Sequence, residues 1–359
     1  MSPRSFSQIA ARLMRIPTAP GHEHAVRAEI ENICNENHLP FKRDRFGNVN
    51  VRLQTGGPKR PFVLAAHMDH PGFEVLRTKT GQRCLLRFQG GVGDSYFRPG
   101  IPVHLMPGNV HSKLSRRRGK ERVFEVTTSS NDPFKFAVWD LEPFAIRDGR
   151  IHGRACDDLV GSAAILATMI ELRQRRARVN VIGVISRAEE IGFQGALAIA
   201  ANGTLPRQSL IVSLETSKEL PGVKMGNGVI LRIGDKTSIF DAAAMRFLAE
   251  VATALKNKRK SFQFQRGLMS GGTCEATAYQ EFGYQTAAVC VALGNYHNCA
   301  PNNRIEAEYV SVADACGMVD LLAAAAIQMA NYDKLTSKLP NRLKKMARAA
   351  SRTLRRTAD

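Results

Sequence analysis

Two histidines and several carboxylates occur at positions where their side chains could hold divalent metal ions together. Imidazole and carboxylate are both zinc ligands. Two imidazoles and three carboxylates suffice for two ions if one carboxylate bridges them, and such a pair, about 3.5–4 Å apart, clamps the attacking water and the developing oxyanion of a hydrolysis. The residues concerned are His67, Asp69, Asp157, Asp158, Glu189, Glu190, Glu215 and His297. Their chemistry predicts a two-metal hydrolytic centre.

The close spacing of two pairs within this set suggests a division of roles. Asp69 lies two residues from His67, on the same face of an extended chain, and could accept a hydrogen bond from the second ring N–H of that imidazole. Of the adjacent Glu189 and Glu190, one can bind metal while the other acts as general base for the attacking water.

Most of these residues follow a short apolar segment that is typical of a strand buried on both faces of a sheet. The segments and the residues that follow them are 62–66 with His67, 179–186 with Glu189, 209–214 with Glu215, and 286–293 with His297. Asp157 stands just before an expected helix. Ligands of open α/β sheets gather at the carboxyl ends of the strands, so we expect one site at this edge.

Helices and strands alternate along most of the chain, which predicts an α/β fold. Helices are expected over 159–172, 193–201, 242–255, 276–282 and 310–329. The expected architecture is a three-layer sandwich with a mixed, mostly parallel sheet. From about 73 to 146 only short alternating segments occur between Gly, Pro and basic loops, which favours an inserted small β domain. We expect a catalytic domain over 1–75 and 147–335, the β domain over 76–146, and a basic tail over 336–359.

The formal charge of +19 is concentrated in part at the carboxyl end of the chain. Residues 333–359 contain nine Lys or Arg against two Asp, a surplus of seven (9 − 2), and a second basic cluster covers 113–122. Leu343, Met346, Ala350 and Leu354 would share one face of a tail helix. The tail is either a frayed or locally packed terminus, or a basic amphipathic arm for a polyanion or a membrane surface.

The cysteines, the apolar segments and the N-terminal residues indicate which cellular compartment to expect. The seven cysteines are scattered and never spaced as Cys-x-x-Cys, which argues against a disulfide framework and a thiolate zinc knuckle. No run of 18 or more apolar residues predicts a membrane span, and no secretory signal is recognised. These features favour a cytoplasmic protein.

Several motifs around the candidate ligands resemble those of the tetrahedral, or glutamyl (deblocking), aminopeptidases, a family of di-zinc peptidases. The motifs are Ala66-His67-Met68-Asp69, Gly153-Arg154-Ala155-Cys156-Asp157-Asp158, Glu189-Glu190-Ile191-Gly192-Phe193, Met225-Gly226-Asn227-Gly228, Gly272-Thr273 and Tyr296-His297. The insertion lies between Asp69 and Asp157, which are 88 positions apart (157 − 69). Related carboxypeptidases and acylases carry their extra domain later in the chain, so the order favours the tetrahedral type.

The resemblance implies a role for each residue of the site. Asp157 would bridge two metals, with Glu190 and His297 completing one site and His67 and Glu215 the other. Glu189 would be the general base, and Asp69 would orient His67. A cis peptide bond is implied after Asp157. The inserted β domain would mediate assembly, from dimers up to twelve-subunit particles.

The function expected from the residues and the resemblance together is hydrolysis of the N-terminal peptide bond of short peptides. Two divalent ions are implied, zinc first, with cobalt or manganese as alternatives. A deacylase or carboxypeptidase of the same superfamily, and an inactive peptidase-like basic binding protein, are the alternatives. Glu215 stands where the family usually has Asp, and Cys274-Glu275 departs from its usual Gly-Thr-Asp-Ala, so the preferred N-terminal residue stays open.

Overall fold

The computed structural model describes residues 2–79, 82–115, 117–118, 121–128, 130 and 133–358. Arg116, Gly119 and Lys120 of the basic cluster and Asp359 of the tail lie outside these residues. Within the described ranges the α-helices are α1 (Pro3–Met14), α2 (His24–Glu36), α3 (Leu159–Gln174), α4 (Gln194–Ala201), α5 (Ala242–Lys258), α6 (Glu275–Glu281), α7 (Val312–Gln328) and α8 (Tyr332–Arg356).

The strands before α3 are β1 (Phe41–Arg43), β2 (Val49–Gln54), β3 (Phe62–His67), β4 (Gly72–Lys79), β5 (Arg83–Gln89), β6 (Pro102–Met106), β7 (Val110–Lys113), β8 (Arg117–Arg118), β9 (Val123–Thr127), β10 (Phe136–Trp139), β11 (Ala145–Arg147) and β12 (Arg150–Gly153). Those after α3 are β13 (Asn180–Ser186), β14 (Leu210–Lys218), β15 (Val229–Gly234), β16 (Phe264–Leu268), β17 (Gln285–Gly294), β18 (Cys299–Ala300), β19 (Arg304–Ile305) and β20 (Glu308–Ser311). β15 and β16 were not expected from the sequence.

The larger sheet has a parallel centre and antiparallel margins. Its main path is β1-β2-β13-β3-β14-β17-β20-β12-β11, with β15 beside β17 and β16 beside β15. β13, β3, β14 and β17 run parallel to one another, so their carboxyl ends meet at one edge. The α/β fold class with a mixed sheet is confirmed.

Helices cover both faces of this sheet, because its central strands are apolar on both sides. Every residue of β3 is buried. Phe62, Leu64 and Ala66 contribute to the core that includes α1, α3, α5 and α7. Val63 and Ala65 face the opposite way, into the core formed with α4 and α6. The result is three layers.

A second, antiparallel sheet has the strand order β7-β6-β10-β4-β5-β9-β8. Aromatic side chains fill its core, with the rings of Phe73 and Trp139 4.8 Å apart in an edge-to-face arrangement. This sheet begins at Gly72 and its last strand ends at Trp139, whereas β11 belongs to the larger sheet. The division at 76 and 146 therefore stays a prediction. β4 starts five residues after His67, so the two sheets adjoin at the candidate ligands.

The helical region at the carboxyl end differs from the expectation at its start. A helix was expected from 310, but Val310 lies in β20, and α7 begins at Val312 after Ser311 accepts a hydrogen bond from the Asp314 N–H. The run Val312–Arg356 is long and apolar enough by composition to cross a membrane, yet 61% of its apolar window is buried inside the protein. That burial is typical of a core helix, and α7 packs against α3 and α5.

Candidate metal centre

The residues singled out by their types converge at the carboxyl edge of the parallel strands. His67 ends β3, Glu189 follows β13, and His297 lies in a 3₁₀ turn after β17. Asp157 comes between β12 and the start of α3. Glu215 differs slightly from expectation, because β14 continues past it to Lys218 and places it within the strand.

Asp157 stands between the two imidazoles. Its Oδ1 lies 3.5 Å from Nε2 of His67, and its Oδ2 lies 3.5 Å from Nε2 of His297. Nε2 of His297 is also 3.3 Å from Oε1 of Glu190. Each oxygen of this one carboxylate therefore faces a different imidazole, which is the arrangement that a bridging ligand requires.

Three overlapping sets of side chains bring their ligand atoms within 4.8 Å of one another. The sets are His67 with Asp157 and Glu215, His67 with Glu189 and Glu190, and Asp157 with Glu190 and His297. Oδ1 of Asp157, Oε1 of Glu190 and Oε1 of Glu215 are buried and have no hydrogen-bond partner among the described residues. Burying a carboxylate oxygen without a hydrogen-bond partner or a bound cation lowers the stability of the folded protein. These donors fit divalent cations in both number and chemistry.

Asp69 fixes the loop that carries the two glutamates. Its Oδ1 accepts a hydrogen bond from the Glu189 N–H at 2.9 Å, and its Oδ2 accepts one from the Glu190 N–H at 3.1 Å. Nδ1 of His67 lies 3.5 Å from Oδ1 of Asp69 and 3.1 Å from the Asp69 backbone oxygen. One buried carboxylate thus contacts the first histidine and both glutamates.

Glu308 was not singled out by the sequence, yet it braces two of the proposed ligands. Its Oε2 accepts hydrogen bonds from the N–H groups of Cys156 and Asp157 at 2.8 and 3.0 Å, and its Oε1 accepts one from the His297 N–H at 2.8 Å. The side chain is fully buried. No local pattern marks it, because its partners lie up to 152 positions away in the sequence.

The second sheet contributes directly to the position of His297. Nδ1 of this imidazole is 2.9 Å from the backbone oxygen of Gly91, in the loop after β5. A Cβ atom on Gly91 would come within 3.2 Å of the imidazole ring. A carbonyl that accepts from Nδ1–H leaves Nε2 free to bind a metal.

His70 supports the backbone of the bridging residue and does not enter any of the candidate ligand sets. Its Nδ1 is 2.6 Å from the Asp157 backbone oxygen, and its Nε2 is 3.1 Å from Oδ1 of Asn298. The Asn298 amide in turn donates to the backbone oxygen of Arg154 at 2.9 Å. This role agrees with a structural histidine beside the ligand loop.

Asp158 caps the first turn of α3, and Gly161 makes that cap possible. Oδ1 of Asp158 accepts a hydrogen bond from the Gly161 N–H at 3.0 Å. A Cβ atom at Gly161 would lie 2.1 Å from Oδ2 of the same carboxylate. The Asp157–Asp158 peptide bond is cis, as the resemblance implied.

Electrostatic effects at the site reflect five acidic side chains, Asp69, Asp157, Glu189, Glu190 and Glu215, gathered in a largely buried space. Burial, reinforced by the Glu190, Glu215 and Asp69 carboxylates, raises the pKa of Glu189 well above its ordinary value. Burial also raises the pKa of Glu215 to about 8. Burial opposes the effect at His67, but the nearby carboxylates raise the pKa of its imidazole. The same negative charge favours a divalent cation, which would replace the proton on the imidazole.

The site opens into a pocket lined by β14, β15 and the 271–273 loop. Arg232 lines it and is 4% exposed. Its Nη1 donates to Oγ of Ser217 at 3.1 Å, and its Nη2 donates to the Gly272 oxygen at 3.2 Å. Arg232 was also missed from the sequence, and its charge opposes the rise in the pKa of Glu215. Cys274, in contrast, is buried, and burial raises its thiol pKa, which agrees with an inert core residue.

Solved structures of archaeal peptidases share this fold. The TET1 peptidase of Pyrococcus horikoshii, which can assemble into a tetrahedron or a large octahedral shell, is 23% identical and has a TM-score of 0.71, over 91% of this chain and 98% of that chain. A TET aminopeptidase from a marine sediment Thaumarchaeota archaeon is 19% identical with a TM-score of 0.75, over 91% and 97%. An aminopeptidase from Desulfurococcus kamchatkensis is 19% identical with a TM-score of 0.72, over 91% and 95%.

Family membership follows from the sequence itself. Residues 125–313 match the M42 glutamyl aminopeptidase family, a span of 189 residues (313 − 125 + 1) in a chain of 359. The matched span contains Asp157, Glu189, Glu190, Glu215 and His297. The chain belongs to the M42 glutamyl aminopeptidase family and is a metal-dependent aminopeptidase.

Proposed function

We propose that the protein removes N-terminal residues from short peptides at a centre of two divalent ions bridged by Asp157. His67 and Glu215 would complete one metal site, and Glu190 and His297 the other. The observation that supports this most strongly is the placement of the two Asp157 oxygens, each 3.5 Å from a different imidazole. The unpartnered buried oxygens of the three ligand carboxylates support it further.

Bound at these ligands, two divalent ions would polarise the scissile carbonyl and lower the pKa of a water to about 7. The mixture of imidazole and carboxylate donors suits zinc first, and also cobalt or manganese. Glu215 reaches one methylene farther than the Asp usual at this position, which bears on the geometry of its site.

We assign the proton transfers to Glu189. Its Oε2 lies 4.0 Å from Nε2 of His67, at the floor of the pocket, and its side chain is 11% exposed. A carboxyl whose pKa is raised by burial and neighbouring acids is suited to take a proton from the attacking water and return it to the leaving amine. Asp69 acts as a positioning residue, because it holds the backbone N–H of Glu189.

The family description, glutamyl aminopeptidase, supports a free amino terminus on the substrate. An unblocked amino group bound beside the ions would place the first peptide bond at Glu189. Lys218 and Arg232 line the same pocket and carry positive charge.

We also propose that the protein is a homo-oligomer, between a dimer and a dodecamer, in which the antiparallel sheet mediates assembly and access to the site. The contact between Gly91 and His297 supports a link between that sheet and the centre. Light scattering would measure the number of chains, and a monomer at micromolar concentration would contradict the proposal.

The substitution Glu189→Gln tests the proposed chemistry, because it removes the base and keeps the shape of the side chain. Turnover of an unblocked peptide should fall by about 10²–10⁴-fold with bound metal unchanged. Glu142→Gln, at an exposed carboxylate, is the matched control and should retain activity. Full activity of Glu189→Gln would refute the base, and wild-type cleavage of only amino-blocked peptides would favour a deacylase.

A further inference from the structure

Among the described residues, the hydrogen bonds and ion pairs that join the carboxyl-terminal helix α8 to the rest of the protein involve Tyr332, Thr336 and Lys338, near its start. Tyr332 is buried, its ring is 5.1 Å from that of Phe247, and its hydroxyl donates to Oε1 of Gln285 at 3.0 Å. Arg246 of α5 donates to the Thr336 oxygen at 3.1 Å. Beyond this anchor, every residue from 341 to 358 is exposed.

An apolar stripe continues along the helix past the anchor. At 100° per residue, the stripe falls within an arc of roughly 100°, and it comprises Leu335, Leu339, Leu343, Met346, Ala350 and Leu354. Leu335 packs against the core, whereas Leu339, Leu343, Met346 and Leu354 are 37%, 51%, 57% and 67% exposed. The same face that docks on the core is therefore increasingly uncovered toward the carboxyl end.

The opposite face of α8 carries nearly all of its charge. The cations are Lys334, Lys338, Arg342, Lys344, Lys345, Arg348, Arg352, Arg355 and Arg356. Lys338 pairs with Glu250 at 2.5 Å, and none of the others forms an ion pair with an acidic residue in the described part of the chain. The helix thus presents a leucine and methionine stripe on one side and a dense cationic face on the other, on which Lys338 alone is paired with a described acid.

These two faces together indicate which kind of partner the helix binds: a second copy of α8, a nucleic acid or a bilayer surface. A second copy of α8 packed stripe to stripe would cover the apolar residues but leave the cations of both copies without an anionic partner. A nucleic acid would neutralise the cations but leaves the apolar stripe in water, and the helix has no aromatic residue after Tyr332 for stacking on bases. An anionic bilayer surface satisfies both faces.

We propose that residues 341–356 of α8 bind the surface of a bilayer that contains anionic phospholipid. The apolar stripe enters the boundary between headgroups and acyl chains, and the cations contact lipid phosphates. The segment has 16 residues (356 − 341 + 1) and is about 24 Å long, shorter than the roughly 30 Å of a hydrocarbon core, so it lies along the surface and does not cross it. This attachment would hold the peptidase at a membrane face and is independent of the proposed chemistry.

Vesicle sedimentation with the full-length protein tests the proposal. We expect binding to vesicles of phosphatidylcholine mixed with phosphatidylglycerol, at least about tenfold stronger than to phosphatidylcholine alone, and weakened by salt. Equal binding to both vesicles, or binding to neither, would overturn it.

Two double variants with the same change in charge separate the stripe from the cations. Leu343→Glu with Met346→Glu places two acids on the apolar stripe, and Asn341→Glu with Ser351→Glu places two on the polar side of the same exposed segment. Both variants lose the same electrostatic attraction, and only the first also loses insertion, so we expect the first to bind vesicles at least about tenfold more weakly than the second. Similar losses in both would show that charge alone acts, and would contradict insertion of the stripe.

Further measurements on the same variants would show whether α8 instead binds a nucleic acid or a neighbouring copy of the chain. If both double variants keep wild-type retention on a DNA fragment while vesicles are not bound, the helix serves a nucleic acid and the proposal fails. If deletion of 341–358 changes the number of chains by light scattering while vesicles are not bound, the helix serves a neighbouring copy and the proposal also fails. Peptidase activity on a short peptide checks that each variant is folded.

Discussion

The carboxyl edge of the large sheet and the free end of α8 both concentrate charged residues, but they hold them in opposite ways. At the sheet edge, the charged groups are buried, and backbone N–H groups fix them through Asp69 and Glu308. Along α8, the cations are exposed, and Lys338 alone pairs with a described acid. Buried charge must be partnered and is therefore sensitive to small changes, whereas exposed charge tolerates change and remains available to a partner.

Apart from substitutions of the proposed ligands and of Glu189, the largest effect is expected at Glu308. Glu308→Gln would replace one acceptor oxygen with an NH₂ group. That donor would face a backbone N–H of Asp157, Cys156 or His297, so the hydrogen bond at that position would be lost. We expect turnover to fall by about 10–100-fold and the free energy of unfolding to fall by about 1–3 kcal/mol. Peptidase assays and urea unfolding measure the two effects.

Glu306→Gln is the matched control for this prediction. Glu306 lies two residues away, pairs with Arg304 and has a side chain that is 42% exposed. Its replacement should leave both turnover and stability unchanged. Equal losses of turnover and stability at Glu308 and Glu306 would contradict the expected difference between a buried, hydrogen-bonded acid and an exposed one.

A smaller effect, visible in its pH dependence, is expected at Glu275. Burial raises the pKa of this carboxyl from 4.5 to about 7, and its Oε2 has no partner among the described residues. The folded protein therefore keeps a proton that the unfolded chain releases, so this contribution to stability is present below pH 4.5 and is lost as the pH rises to about 7. Glu275→Gln should remove that contribution and reduce the loss of stability between about pH 5 and pH 8.

Urea midpoints of the metal-free protein at the two pH values measure the change, with Glu281→Gln, an exposed position on the same helix, as the control. A pH dependence of unfolding that is identical in wild type and Glu275→Gln would show that this carboxyl does not titrate in the window.

The smallest effect is expected at the free end of α8. The apolar stripe of this helix contains one leucine that packs on the core and another that is exposed, and the two can be compared. Leu335→Ala removes a side chain that packs on the core and should lower the free energy of unfolding by about 1–2 kcal/mol. Leu343→Ala, on the same face but 51% exposed, should change it by less than about 0.5 kcal/mol. A comparable loss at Leu343 would indicate that the free end packs against the protein.

The sequence predicted the parts of the molecule that local patterns encode. Apolar segments predicted the parallel strands, and strand-end placement brought His67, Glu189 and His297 to one edge, as the structure has them. The expected helix start at 310 was wrong because apolar periodicity continued across the boundary, although Ser311 is a preferred N-cap residue.

What the sequence did not predict depends on contacts between distant segments. Glu308 and Arg232 act through partners on other strands, and no spacing marks them. The Gly91 carbonyl at His297 is a backbone group, which residue types cannot reveal. The family resemblance implied a ligand set and Asp69 as the group that orients His67, but neither Glu308 nor the Gly91 carbonyl.

The metal content of the purified protein tests the central claim, which is that Asp157 bridges two ions. After saturation with zinc and removal of free metal, elemental analysis should give two ions per chain in the wild type and in Glu189→Gln. Asp157→Asn, which keeps the shape of the side chain but removes its charge, should hold one ion or none, with turnover lost. One ion in the wild type, or two retained by Asp157→Asn, would contradict the account.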